Sequence, residues 1–169
     1  MHTHHRLVAA SGIVLVALLA PAPAPATAAA PAPSYTWSRT PSPIVLRPPS
    51  RDMYFRPVIF CWTAPSDDPN TSSMVCGDGF PPPDAQLRTA RTQQALRMWF
   101  GMPRWRFTAS MVRLRTVHAR TLHPRVSALS ARTFRIARPA RAGSYRVVLS
   151  GQGPQGDETI WFRWRVLRR

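Results

Sequence analysis

Apolar and polar side chains alternate with a period of two across much of the stretch from residue 96 to residue 167. Residues 105–115 (WRFTASMVRLR) put Trp105, Phe107, Ala109 and Met111 on one side and Arg106, Thr108 and Ser110 on the other. Leu96, Met98 and Phe100 alternate with Arg97 and Trp99, and Phe134 and Ile136 with Thr133 and Arg135. Tyr145, Val147 and Leu149 begin a further run, and Phe162, Trp164 and Val166 alternate with Trp161, Arg163 and Arg165. Successive side chains of a strand point to opposite faces, so the pattern marks half-buried antiparallel strands. Almost nothing in the chain carries the competing helical period. Turn signals at Gly101-Met102-Pro103, at residues 138–143 and at 150–156 (SGQGPQG) separate the runs, which predicts six or seven short strands in two packed sheets.

The N-terminus is of another kind. Residues 7–20 (LVAASGIVLVALLA) form a 14-residue apolar stretch behind a polar start with one Arg. About 20 residues are needed to cross a bilayer as a helix, so this length fits a signal peptide better than an anchor. Ala26 and Ala28 offer small residues for cleavage after either position, and a secreted or cell-envelope location is expected. Prolines then recur among Ala, Ser and Thr, the composition of an extended spacer. The expected organisation is a signal peptide over 1–28, a Pro/Ala-rich linker over 29–43 and one domain over 44–169. Ile44-Val45-Leu46, with proline on both sides, reads as a short edge strand.

Residues 53–62 (MYFRPVIFCW) read as the first strong strand, with Pro57 placing it at an edge or a bulge. Cys61 ends that run and Cys76 follows; no other cysteine is present. In an exported chain two cysteines are expected to pair as a disulfide. They lack the C-x-x-C spacing of a redox or metal pair, and no His lies between them. Asp67, Asp68, Asp78 and Asp84 cluster here, but their spacing fits no calcium loop, and turn-capping is the expected role. Residues 85–94 read as a helical turn or loop, and 116–130 as a long connection. The whole predicts an all-β fold, an immunoglobulin-like antiparallel β-sandwich of about seven strands.

Cys61-Trp62 followed by Cys76-Gly77-Asp78-Gly79-Phe80-Pro81-Pro82 resembles a CW…C-x-DG-x-PP signature. That signature belongs to a group of secreted proteins and lipoproteins of actinobacteria. The resemblance extends through Phe100-Gly101-Met102-Pro103-Arg104-Trp105 and Gly143-Ser144-Tyr145-Arg146-Val147 to Phe162-Arg163-Trp164. It implies an envelope or extracellular immunoglobulin-like domain with no assigned activity. The chain lacks the lipid-attachment cysteine that many members carry.

Chemistry is sparse. His118 and His123 are the candidate bases beyond the signal region, and their spacing would separate them on a strand or a helix. Asp157 or Glu158 with Asp78 makes a conceivable acid pair, but no nucleophile elbow, HExxH or P-loop appears. No catalytic residue, metal ligand or cofactor is assigned. Charge says more. The 23 basic residues are all arginine, against 7 acids, for a net charge of +16. Arginine suits bidentate phosphate contact and stacking. Arg97, Arg106, Arg135, Arg146, Arg163 and Arg165 fall on outward strand positions, with Trp99 and Trp161 beside them as ring faces. The expected partner is an anionic wall polymer, a membrane surface or a partner protein. The charge admits nucleic acid without favouring it, since no long consecutive basic run occurs. The protein is expected to be a monomer. The alternatives are a purely structural envelope domain whose charge is incidental, or a secreted hydrolase.

Overall fold

The computed structural model describes residues 32–168 apart from 67, 69, 70 and 117. The expected signal peptide and the first residues of the linker lie outside the described residues. Strands are numbered in chain order. One sheet runs β2 (Met53–Phe55), β1 (Ile44–Arg47), β6 (Leu96–Phe100), β10 (Thr133–Ile136), β9 (Val126–Ala128). The other runs β4 (Ser73–Asp78), β3 (Ile59–Ala64), β12 (Gly156–Val166), β11 (Gly143–Gly153), β7 (Arg106–Arg113), β8 (Thr121–Leu122), and β5 (Thr89–Thr92) also pairs with β12. All pairings are antiparallel except that of β5 with β12.

The order is that of an immunoglobulin-like sandwich. β1, β6, β10 and β9 take the places of strands A, B, E and D, while β12, β11, β7 and β8 stand as G, F, C and C′. An insert between A and B supplies β2, the β3–β4 hairpin and β5. Tyr145, buried near the start of β11, donates its hydroxyl to the Arg141 carbonyl at 2.7 Å, the tyrosine corner of this fold class.

The alternation read from the sequence places the core. Leu96, Met98 and Phe100 face Tyr145, Val147, Leu149, Ile160, Phe162 and Trp164 across the two layers, and all are buried. Aromatic rings run between the sheets in sequence: Trp62 to Trp105 at 5.8 Å, Trp105 to Phe100 at 4.6 Å, Phe100 to Phe107 at 5.3 Å, Phe107 to Phe134 at 4.8 Å. Tilted and edge-on pairs at these spacings satisfy the ring quadrupoles as well as removing apolar area from water.

Several expectations change. The single strand over 53–62 is two, β2 and β3, in different sheets. Pro57 has no N–H for a ladder, and the chain crosses between layers at that point. Ile44-Val45-Leu46 is not an edge: β2 and β6 flank it, and all three residues are buried, the prolines lying outside the ladder. The spacer joins the domain before residue 44. Trp62 Nε1 donates to the Ser38 carbonyl at 2.8 Å, Trp37 Nε1 to Thr63 at 3.0 Å, and the Gly101 amide to Ser42 Oγ at 2.9 Å. The stretch 85–94 forms a 3-10 turn over Asp84–Gln86 and then β5, and the connection 116–130 contains β8 and β9.

Cys61 and Cys76 are bonded, directly opposite each other in the β3–β4 ladder with their Cα atoms 4.1 Å apart. The bond staples the outermost strand of the larger sheet instead of joining the two layers.

Candidate anion-binding site

β12 decides which charges gather. Its inward residues Ile160, Phe162, Trp164 and Val166 are held in the core, so Arg163 and Arg165 stand on the outer face. The parallel neighbour β5 is set in register with Trp164 beside Ala90 and Arg165 beside Arg91, which brings Arg91 to the same face. On the other side β11 places Arg146 opposite Arg163 and Ser144 opposite Arg165. β7 ends at Arg113, and the chain turns through Arg115 with a positive φ of 59°. Together these elements form a cleft of about 800 Å³ lined by Arg91, Arg113, Arg115, Arg163, Arg165 and Arg168.

Among the described residues one acid lines this cleft. Asp84 Oδ1 lies 3.2 Å from Arg146 Nη1, and the Asp84 backbone carbonyl accepts from Arg163 Nη2. Like charges opposed across a ladder repel, and this acid relieves the Arg146–Arg163 pair. Nothing comparable serves Arg91 and Arg165. Arg113 donates from Nη2 to the Ala142 carbonyl at 3.2 Å. Arg91, Arg115, Arg165 and Arg168 have no ion pair or side-chain hydrogen bond among the described residues. Their guanidinium groups are available for an anion, and the fork of each suits phosphate or carboxylate oxygens.

The outward residues singled out from the sequence do not form one face. Arg163 and Arg165 lie in the cleft, and Arg146 sits at its margin, engaged with Asp84. Arg106 is on the same sheet but at the far end of β7, about 24 Å from Arg113 at the usual rise of a strand. Arg97 and Arg135 oppose each other on the other sheet, in a concavity where Arg138 is the one further arginine among the described residues. Arg138 is committed there, donating to the carbonyls of Pro139 and Leu167. Trp99 is 8% exposed and offers no ring face. Trp161 is half-buried and lines a small hollow of about 210 Å³ with Tyr54 and Arg88, apart from the arginine cleft.

Arg91, Arg113, Arg115 and Arg168 complete the lining of the cleft, and outward parity in the sequence does not point to them. The signal for Arg91 was the Thr-Ala-Arg-Thr alternation, too short to read as a strand. Arg113 has the parity of the core residues Met111 and Ala109, but β7 runs out beyond the packed layer there and the guanidinium turns to Ala142.

The sparse catalytic candidates also find places. His118 and His123, expected apart, both line one cavity of about 580 Å³, because a turn with φ of 56° at His118 folds the chain before β8. Glu158 faces inward and is fully buried, with no hydrogen bond to either carboxyl oxygen. Burial, reinforced by the adjacent Asp157 charge, pushes its carboxyl up to about 9. Asp157 and Asp78 are exposed on the opposite face of their strands from Glu158. Among the described residues no three His, Cys, Asp or Glu side chains are grouped to hold a metal; Asp67 lies outside them.

Compared with protein families, with curated proteins and with solved structures, the chain shows no match.

Proposed function

We propose that this domain is a non-catalytic, extracytoplasmic binding module that holds a phosphate-bearing envelope polymer in the cleft between β5, β12 and the end of β7. One observation carries the reading. Six arginines surround one cavity with a single acid among them, and four of the six have no intramolecular partner among the described residues. Such a concentration of fixed positive charge is costly to leave bare, and a polyanion relieves it while releasing its own counterions. To its arginines the cleft adds Asp84, Thr89, Ser144 and apolar residues, a lining that suits holding an anion more than transforming one. Export is proposed from the N-terminal apolar stretch, and the paired cysteines agree with an oxidising compartment. The resemblance to secreted actinobacterial proteins points the same way.

The test is binding of inorganic polyphosphate across a salt gradient. Affinity should fall steeply with salt, and Arg91→Gln with Arg165→Gln should flatten that dependence by about one unit of slope per arginine. Arg97→Gln with Arg135→Gln, on the other sheet, should leave it nearly unchanged. If both double variants bind as the native protein does, the cleft is not the site. A purely structural domain would show only weak binding, indifferent to either change.

A further inference from the structure

The arginine cleft has a neighbour. At the same end of the sandwich, where β7 ends and β11 begins, lies the cavity lined by His118 and His123. Met111, Leu122, Pro124, Pro139 and Tyr145 give it a largely apolar lining. Arg113 lines both hollows, and its hydrogen bond to Ala142 makes a shared wall. Arg120 and Arg141 stand exposed at the rim of the apolar side. At about 580 Å³ this chamber lies within the usual range for a small-molecule site.

An apolar hollow walled by arginine is complementary to a molecule that is itself divided. A free polyanion would use the cleft and leave the chamber filled with water against apolar side chains. A neutral apolar molecule would use the chamber and leave the arginines bare. We propose that the ligand is an anionic amphiphile: a phosphate group that engages Arg113 and the cleft, joined to an alkyl or acyl arm that enters the chamber beside Leu122. This rests on the reading of the cleft as a phosphate site, and it narrows the ligand from any polyanion to one with an apolar end.

The experiment compares octyl phosphate with methyl phosphate by titration calorimetry on the domain, with octyl glucoside as the neutral amphiphile. Octyl phosphate should bind at least about tenfold more tightly than methyl phosphate, since each methylene taken up is worth up to roughly fourfold. Ala119→Trp, which fills the chamber, and Leu122→Glu, which charges it, should each reduce octyl phosphate to the level of methyl phosphate. The uncharged Ala119→Trp should leave polyphosphate binding unaltered. Arg165→Gln should weaken both phosphates alike. Equal affinity for octyl and methyl phosphate in the native protein overturns the inference and leaves the cleft reading standing, provided polyphosphate still binds. Equal affinity for octyl glucoside and octyl phosphate overturns the anionic part. Loss of polyphosphate binding altogether overturns the cleft reading, and this inference with it.

Discussion

Arg146 and Asp84 meet at 3.2 Å on the rim of the arginine cleft, although Arg146 lies in β11 and Asp84 in the 3-10 turn 62 residues earlier. The bridge is solvent-exposed, so its contribution to stability is small, about 0 to 1 kcal/mol. In the proposed reading its effect on the cleft is larger, because it offsets one positive charge of the field that a bound anion would feel.

Asp84→Ala should therefore separate stability from binding. The melting temperature should move by no more than a few degrees. Polyphosphate affinity at low ionic strength should rise several-fold, as Arg146 is freed and the cleft loses its carboxylate, while Arg163 keeps its bond to the backbone carbonyl of residue 84. Unchanged or weaker polyphosphate binding would mean that Asp84 organises the arginines instead of opposing the ligand.

Glu158 makes stability depend on pH. The folded domain keeps this carboxyl protonated up to about pH 9, whereas the unfolded chain releases the proton near its ordinary value of 4.5. Between those values the folded state binds more protons than the unfolded one, so stability falls as pH rises. The contribution is complete below 4.5 and lost on approaching about 9, at up to about 1.4 kcal/mol per pH unit. Denaturant titrations across this window should show the slope in the native protein and its absence in Glu158→Gln. A Glu158→Leu variant should gain stability at neutral pH, since it buries no unpaired polar group. An identical slope in Glu158→Gln would assign the effect to other groups.

Gly156 should tolerate no side chain. It closes the β11–β12 hairpin with φ of +125°, and a Cβ there would lie 1.9 Å from the Cys61 carbonyl oxygen. Since that oxygen is backbone, β3 would have to move away from β12. Gly156→Ala should cost at least about 3 kcal/mol, read as a drop in the denaturation midpoint.

Removing the disulfide should loosen one edge before the whole. In the chain-entropy account, a bond spanning 15 residues stabilises by about 3 kcal/mol. In Cys61→Ser with Cys76→Ser, amide exchange should rise first in β4, while β11 and β12 keep exchanging at the rate set by global unfolding. Uniform acceleration through both sheets would show that the hairpin is integral to the core.

Long alternating runs made the two layers legible, because β7, β11 and β12 each present several core residues at a period of two. Short strands escaped. β5 and β8 span four and two residues, within which no period can be recognised. The glycine-rich stretch 150–156 reads as a loop, yet β11 and β12 continue through it to a two-residue turn at Pro154-Gln155. The glycines serve the core there: a Cβ on Gly151 would lie 2.3 Å from the Phe107 ring, and one on Gly153 2.4 Å from Trp105. The same extension puts Glu158, which reads as a loop acid, inside the sandwich. For the site, outward parity found Arg163 and Arg165 but could not assign outward residues to one sheet or the other. Arg97 and Arg106 share a reading in sequence and lie in different sheets. Only the parallel register of β5 and the end of β7 bring Arg91 and Arg113 to the cleft, and both are long-range facts.

β12 has three partners: β11 along its whole length, β3 beside its first half and β5 beside its second. The hairpins β3–β4 and β11–β12 are local and can zip up on their own. By contrast, Ile59 must find Thr159 and Thr89 must find Arg163 across most of the domain. Distant pairings of this kind slow folding, because loop entropy is lost before contacts form. This predicts an order of assembly in which the hairpin carrying Cys61 and Cys76 forms early as a separate piece. The arginine cleft is then expected to be completed late, when β5 docks beside the β11–β12 hairpin, so a chain that has not finished folding would lack the proposed anion site.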